Sequence, residues 1–150
     1  MRWRFFEEND LNWILGVTRD MFNESEWENE LEYNTEKVTN YFFSALSNPN
    51  LFGIIGMDKK EKPIGFLTGM IFEYTFSDSK YAREMDLYIV PSERGGMMAI
   101  QLMKKFIDWS KSKGAKEVYF EPSTNGDINK FDKMAKRLGM KREAKYRSIL

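Results

Sequence analysis

The chain has 150 residues, with 23 basic and 23 acidic side chains and neither cysteine nor histidine. This length fits one domain with its own core, and 42% hydrophobic with 15% aromatic residues excludes wholesale disorder. Without cysteine and histidine there is no disulfide, thiolate nucleophile, imidazole base or ordinary zinc site. Any chemistry must use carboxylates, hydroxyls, amines and backbone groups, and we expect no bound metal.

The sequence shows no targeting or membrane segment. No stretch approaches the ~18 uninterrupted apolar residues of a membrane span. The basic start of the chain meets acidic Glu7 and Glu8 before any apolar signal segment forms. We therefore predict a cytoplasmic protein with no membrane partner.

Opposite charges concentrate in two separate segments. Six glutamates and no basic residue lie between Met21 and Glu36, whereas eight basic residues and two acids lie between Asn129 and Arg147. Each segment can be a solvated face. Alternatively, the first attracts a cationic substrate and the second faces phosphate. The basic residues lie in no nucleic-acid recognition motif, so we expect no nucleic-acid partner.

The hydrophobic pattern predicts the element order β-α-α-β-β-β-α-β-α-β. The predicted strands are Arg2–Glu7, Leu51–Met57, Pro63–Tyr74, Ala82–Val90, Glu117–Phe120 and Met140–Ile149. The predicted helices follow Asp10, follow Asn34 or Thr35, run from Gly95–Gly96 to Lys113–Gly114, and span Asp127–Leu138. Asn23–Tyr33 is predicted to be a loop or a broken helical turn.

The connections between these elements predict the sheet topology. The strands on either side of the Gly95 helix must be parallel, because a crossover of that length returns in the same direction. The hairpins before it make the remaining pairs antiparallel. We therefore expect one α+β domain over residues 1–150, with a central mixed, mostly antiparallel sheet of about six strands and about four helices. Its exposed strand edges are compatible with a homodimer.

The most informative segment runs from Met85 to Leu102 and reads MDLYIVPSERGGMMAIQL. A strand here enters a tight loop, and the loop enters a helix whose first turn leaves about four N–H groups without intrahelical partners. These groups and the helix dipole favour an anion, and Gly95 and Gly96 allow close approach. The nucleotide-binding motifs GxxxxGK[ST] and GxGxxG are absent. The pattern alone therefore predicts only a phosphate-bearing ligand of unspecified kind. The alternative is that the two glycines merely turn the chain into the helix.

This segment resembles the GCN5-related N-acetyltransferase (GNAT) superfamily, whose motif reads roughly V-x-P-x-x-R-G-x-G-x-G/A. Ile89, Pro91, Arg94, Gly95 and Ala99 match that motif. The resemblance implies a three-layer fold with the sheet between helices. It also implies acetyl-CoA, or another acyl-CoA, as co-substrate.

The resemblance further implies which backbone groups bind the donor. Those of Leu87 and Ile89 are expected to pair with the pantetheine arm. The pyrophosphate is expected on the amides of Arg94, Gly95, Gly96, Met97, Met98 and Ala99. Met97 stands where the family motif has its middle glycine.

The segment Lys136–Met140 resembles the family ending Y-E-K-L-G-F. The tyrosine of that ending often reprotonates the CoA thiolate, and its position is Ala135 here. Water, Tyr88 or Tyr146 would then have to supply the proton, or the thiolate leaves unaided.

Three carboxylates are candidate general bases, in the order Glu84, Asp86, Glu121. An acceptor amine with a pKa of ~10.4 must lose a proton before it attacks a thioester, and a carboxylate acting through water can take it. Glu84, Asp86 and Tyr88 alternate along their strand and are expected to share one face of the sheet. Glu121 follows a parallel strand, where ligand crevices open. Each carboxylate can instead be a surface charge.

Taken with the resemblance, these features predict an acyl-CoA-dependent N-acyltransferase, most simply an acetyltransferase, that acts directly on an amine. The acceptor is expected to be a small molecule or a lysine-bearing peptide. The acidic segment Glu24–Glu32 favours a cation such as a polyamine or an aminoglycoside, and Trp27 could stack on it. The alternatives are a GNAT-like module that binds acyl-CoA or a protein without catalysis, and a small interaction protein with no CoA site.

Overall fold

The computed structural model describes residues 2–122, 127–143 and 148. Its strands are β1 (Arg2–Phe5), β2 (Leu51–Met57), β3 (Pro63–Tyr74), β4 (Ser77–Ile89) and β5 (Ala115–Tyr119). Its α-helices are α1 (Leu11–Asn23), α2 (Thr35–Ser44), α3 (Met98–Ser112) and α4 (Ile128–Arg137). This order confirms the prediction from the first strand to the last helix. The predicted strand Met140–Ile149 lies largely outside the described residues.

The five strands form one mixed sheet in the order β1-β2-β3-β4-β5. The first four strands pair antiparallel, and β4 pairs parallel with β5 across the α3 crossover. The predicted α+β class and the predicted parallel pair are therefore confirmed. The sheet has five described strands where about six were expected.

Helices cover both faces of the sheet and bury two apolar cores. On one face α3 packs against β2, β3 and β4, and its core includes Phe52, Ile54, Leu67, Leu102 and Phe106. On the other face α1 and α2 pack against the same strands. That core includes Ile14, Phe42, Ile55, Phe66 and Tyr88.

Local hydrogen bonds fix the starts of α1 and α2. Asp10 precedes α1 as predicted, but its carboxylate accepts hydrogen bonds from the Arg4 guanidinium at 2.6 and 2.8 Å and from the Glu7 N–H at 2.8 Å. Asn34 caps α2 through a 2.9 Å hydrogen bond from the Lys37 N–H. Between these helices the acidic segment forms a short 3-10 turn, as the broken-turn prediction allowed.

Strand β4 contains one residue more than the part of β3 that faces it. Thr68 lies opposite Asp86, and Gly69 lies opposite Glu84, so Met85 has no partner and forms a β-bulge. A bulge of this kind interrupts the regular alternation of side chains along a strand. The bulge therefore changes which face of the sheet each later side chain of β4 occupies.

The bulge separates the two carboxylates of β4. Residues directly opposite one another in an antiparallel pair face the same side of the sheet. A Cβ on Gly69 would meet the Phe106 ring of α3, which puts Glu84 on the α3 side. The Thr68 hydroxyl instead contacts α2, which puts Asp86 on the opposite side.

The prediction that Glu84, Asp86 and Tyr88 share one face is therefore wrong. Ala82 belongs to the α3 core and Tyr88 to the α1/α2 core, although the two are an even number of positions apart. An uninterrupted strand would have put both on the same face. Asp86 and Tyr88 remain together, and Glu84 lies across the sheet from them.

Candidate active site

The centre of the site is the point where β4 and β5 separate. Their parallel pairing extends only to Arg83 on β4 and Tyr119 on β5. Beyond this point β4 continues to Ile89, and within the described ranges no strand pairs with that edge of β4. The sheet therefore presents an open strand edge next to α3.

The open edge offers the backbone groups of the two residues predicted to pair with pantetheine. The Val90 N–H donates to the Ile64 carbonyl of β3 at 2.9 Å. Backbone groups of successive residues alternate between the two sides of a strand in an antiparallel ladder. The N–H and C=O groups of Leu87 and Ile89 therefore point away from β3, toward the open edge.

The loop after β4 connects the open edge directly to the start of α3. Its residues from Ser92 to Met97 are exposed, and α3 begins at Met98. Gly95 has a φ of +87°, and no atom lies within 4 Å of a Cβ built on it. The loop is thus open to solvent at the turn where backbone amides and the helix dipole favour an anion.

Arg94 and Tyr88 meet the carboxylate of Glu24, which comes from the acidic segment after α1. Arg94 Nη2 lies 2.6 Å from Glu24 Oε2, and the Tyr88 hydroxyl donates to Glu24 Oε1 at 2.6 Å. Burial raises the pKa of Glu24, but these two hydrogen bonds outweigh it and leave the pKa lowered. Burial and Glu24 together raise the pKa of Tyr88 to about 12.

Glu84 lies at the opening between β4 and β5. It is only 8% exposed, and burial raises its pKa to about 8. Glu84 Oε2 accepts a hydrogen bond from the Glu121 N–H at 3.3 Å. The structure thus brings together two of the three candidate bases, while the Glu121 carboxylate forms a 2.6 Å ion pair with Arg83.

Asp86 ends a chain of hydrogen bonds on the α1/α2 side. The Tyr41 hydroxyl donates to Thr68 Oγ1 at 3.0 Å, and the Thr68 hydroxyl donates to Asp86 Oδ2 at 2.8 Å. Burial raises the pKa of Asp86. Burial raises the pKa of Tyr33, and the nearby Asp86 charge adds to this while Arg19 opposes it. The buried Tyr33 hydroxyl has no hydrogen-bond partner among the described residues.

The sequence pattern did not single out Thr68 and Tyr41, and it pointed to Glu24 only as part of the acidic segment expected to attract a cation. Thr68 is a lone hydroxyl inside the apolar run of β3, and it is fully buried. A buried hydroxyl needs a partner, so its place in that run was a usable signal. The contacts of Glu24 and Tyr41 join residues far apart in the chain and left no local signal.

A groove of about 360 Å³ lies on the sheet face opposite α3, and of the three candidate bases only Glu121 lines it. Glu84 is connected to this groove only through its hydrogen bond from the Glu121 N–H. Tyrosine rings and charged side chains form its walls. The lining residues are Glu73, Tyr74, Thr75, Tyr81, Arg83, Tyr119 and Glu121.

The position at which the sequence resemblance leads us to expect a tyrosine lies in the last turns of α4. Ala135 occupies it and is partly buried. Of the two tyrosines that could protonate the CoA thiolate instead, Tyr88 already donates a hydrogen bond to the Glu24 carboxylate. Tyr146 lies outside the described residues. No phenol therefore stands on the described part of α4.

Two further features of the described residues bear on function. No helix among them combines the length and the apolar character that crossing a bilayer requires. They also contain no group of three or more acidic side chains placed to hold a metal ion.

Comparison of the chain with known proteins gives a family match. Residues 18–139 match the model of the Acetyltransferase (GNAT) family. No curated protein matches the chain in sequence.

Solved structures share the fold at low sequence identity. A tetramutant of the BH1408 protein from Bacillus halodurans superposes with a TM-score of 0.80 at 15% identity, over 100% of this chain and 99% of that one. Aminoglycoside 6'-N-acetyltransferase AAC(6')-IG from Acinetobacter haemolyticus superposes with a TM-score of 0.74 at 16% identity, over 100% of this chain and 97% of that one. A predicted acetyltransferase with acetyl-CoA from Clostridium acetobutylicum superposes with a TM-score of 0.74 at 16% identity, over 99% of this chain and 95% of that one. With the family match across most of its length, the chain belongs to the GNAT acetyltransferase family.

Proposed function

We propose that this protein is an acyl-CoA-dependent N-acyltransferase that transfers an acyl group, most simply acetyl, directly to an amine. The observation that supports this best is the continuous path formed by the open edge of β4, the glycine loop and the start of α3. A linear donor with amide groups at one end and phosphates at the other matches that path. Membership of the GNAT family supports the same donor.

In this proposal the backbone holds the donor. The outward-facing groups of Leu87 and Ile89 pair with the pantetheine arm as a neighbouring strand would. The amides from Gly95 to Ala99 hold the diphosphate, where several N–H groups lie at a helix start. The Arg94 N–H, which was predicted to join them, donates instead to the Pro91 carbonyl at 3.3 Å. Met97 still presents its amide, because a side chain does not remove the backbone donor.

Glu84 is the proposed general base. A carboxylate with a pKa of about 8 holds and releases a proton near neutral pH, which suits transfer from an ammonium group. The neutral amine then attacks the thioester carbon and the C–N bond forms. The attached nitrogen loses its second proton to water as the C–S bond breaks, which leaves a neutral amide. CoA leaves as a thiolate and takes a proton from water, since Ala135 supplies none.

The proposed acceptor is a cation. Glu73 and Glu121 in the groove outnumber its single Arg83, and the tyrosine rings beside them can contact a cation through their faces. An aminoglycoside or a polyamine meets these requirements, and one fold neighbour is named as an aminoglycoside acetyltransferase.

Two measurements test the proposed function in order. Thermal unfolding with millimolar acetyl-CoA should show stabilisation, because a ligand bound only to the folded state shifts the equilibrium. Free thiol release is then measured with kanamycin, spermidine and a lysine peptide as acceptors. Absence of stabilisation would contradict the donor site, whereas stabilisation without thiol release from any acceptor would contradict transfer to these amines.

One observation favours a second candidate, a GNAT-fold module that binds acyl-CoA without transferring the acyl group. Ala135 provides no proton donor at the position where the family often has tyrosine. This candidate predicts stabilisation by acetyl-CoA and no thiol release with any amine. The thiol assay therefore separates the two candidates.

A further inference from the structure

The side chain of Arg94 occupies part of the edge that the donor requires. Its Nε donates to the Ile89 carbonyl oxygen at 2.9 Å. That carbonyl points toward the open side of β4, where the proposed pantetheine arm would lie. A guanidinium and a pantetheine amide cannot both fill the same position on this edge.

Two other side chains hold the guanidinium there. Glu24 Oε2 pairs with Arg94 Nη2 at 2.6 Å, and the Tyr88 hydroxyl anchors the other oxygen of the same carboxylate at 2.6 Å. The guanidinium carbon lies 5.2 Å from the centroid of the Tyr88 ring. Arg94 is thus fixed by a backbone carbonyl, a carboxylate and an aromatic face.

We propose that Glu24 is a positioning residue that holds Arg94 on the Ile89 carbonyl, and that acyl-CoA must displace this guanidinium to pair with β4. The inference rests on the proposed function, because it takes the open edge as the donor site. A donor that binds only the open arrangement has an apparent affinity reduced by the fraction of molecules that are open. Weakening the Glu24–Arg94 pair should therefore tighten donor binding.

The same contact links the two halves of the site. Glu24 belongs to the acidic segment between α1 and α2. Arg94 belongs to the loop between β4 and α3, called the donor loop because the donor's diphosphate is proposed to bind there. Displacement of Arg94 removes the guanidinium from Glu24, whose carboxylate keeps its hydrogen bond from the Tyr88 hydroxyl. Because coupling between two binding events is reciprocal, a cation that pairs with Glu24 should favour donor binding.

The test compares CoA binding by wild type, Glu24→Gln and the control Glu28→Gln in isothermal titration calorimetry. Glu28 is exposed and lies in the 3-10 turn Glu26–Asn29, shortly after Glu24 in the same acidic segment, so its substitution removes an equal charge from the segment. We expect Glu24→Gln to bind CoA about two- to fivefold more tightly, the range for an exposed ion pair. Glu28→Gln should bind like wild type.

Two further readouts separate this effect from a general structural change. The ratio of wild-type to Glu24→Gln affinities should approach one at high salt, because salt screens exposed pairs. S-acetylpantetheine lacks the diphosphate, so its KM should fall in Glu24→Gln by the same factor. Tyr88→Phe removes the hydroxyl that anchors Glu24, and it should shift CoA affinity in the same direction by less.

The possible results are distinguishable. Equal or weaker CoA binding by Glu24→Gln, with wild type binding normally, would overturn this inference and leave the proposed donor site intact. Failure of wild type and all variants to bind CoA would overturn the proposed function and this inference with it. Equal tightening in Glu28→Gln would show a general charge effect and would also overturn the role of Glu24.

Discussion

The backbone N–H of Glu121 donates a hydrogen bond to the carboxylate of Glu84 across the opening between β4 and β5, at 3.3 Å. The chain just after β5 therefore orients a carboxylate of the neighbouring strand β4. Burial raises the pKa of Glu84 to about 8, although this hydrogen bond acts in the opposite direction. The acid at this opening is thus protonated in part of the population at neutral pH.

Replacing Glu84 by glutamine should lower kcat for acyl transfer by about a hundredfold or more, the scale of lost general-base catalysis. Glutamine keeps the shape and can still accept the hydrogen bond from Glu121. The Asp78→Asn variant, exposed at the far end of β4, is the control and should keep its rate. Thiol release at saturating acetyl-CoA measures both, and similar rates in all three proteins would exclude Glu84 as the base.

The pH profile gives a second check on the same variant. Only the deprotonated form of Glu84 can accept a proton, so kcat/KM of the wild type should rise with pH through about 8. The inflection of the acceptor amine should remain in Glu84→Gln, while the inflection near 8 disappears. Persistence of that inflection in the variant would assign it to another group.

The raised pKa of Glu84 also predicts how stability depends on pH. The folded-state pKa lies above the unfolded value, so folding binds a proton, and the stabilisation is complete below the unfolded value of 4.5. It is lost as the pH rises from there through about 8. Thermal unfolding should therefore show Glu84→Gln gaining stability over wild type on going from pH 5 to pH 9. A difference that stays constant with pH would contradict the burial of this charge.

Replacing Thr68 by valine tests the hydrogen-bond chain behind Asp86. Valine has almost the same shape, but Tyr41 loses its acceptor and Asp86 loses its donor. A buried polar group without a partner costs about 1–3 kcal/mol, so the free energy of unfolding should fall by about 2 kcal/mol or more. The control Thr39→Val removes a hydroxyl from the exposed side of α2. Equal losses in urea unfolding would show that the chain does not stabilise the fold.

Replacing Gly95 by alanine tests the donor loop. Its φ of +87° is costly for any residue with a Cβ, although space for the Cβ exists. Gly114 at the end of α3 has a φ of +77° and equally open surroundings, which makes Gly114→Ala a matched control. Both variants should lose about 1 kcal/mol or more of stability, but only Gly95→Ala should weaken CoA binding in calorimetry. Equal affinities would exclude this loop from the donor site.

The sequence predicted the elements that depend on local pattern. The bounds of β2 and β3 agree with the prediction because turn residues and charged residues limit their apolar runs. The start of β4 at Ser77 was missed, since its first residues are polar and pair through the hairpin with β3. Its predicted start was Ala82, the first residue of that strand buried in the core.

The arrangement of the site depended on information that one strand does not contain. Glu84 and Asp86 were correctly predicted to lie on one strand. The sequence of that strand alone cannot show how it pairs with β3, and the pairing decides which face each side chain occupies. The unpaired Met85 appears only when β3 is laid beside β4. The Glu24–Arg94 pair likewise joins segments whose proximity depends on the complete fold.

The bulge at Met85 makes the pairing of β4 as important to this protein as its composition. A strand that kept Met85 but paired with β3 without a bulge would place Met85, in place of Asp86, opposite Thr68. Every side chain beyond Met85 would then lie on the opposite face, as in any register change of one residue. Asp86 would turn toward the apolar packing around Phe106, and the peptide groups of Leu87 and Ile89 would turn from the open edge toward β3. One unpaired residue thus keeps Asp86 on the α1/α2 side and the backbone groups of Leu87 and Ile89 directed outward.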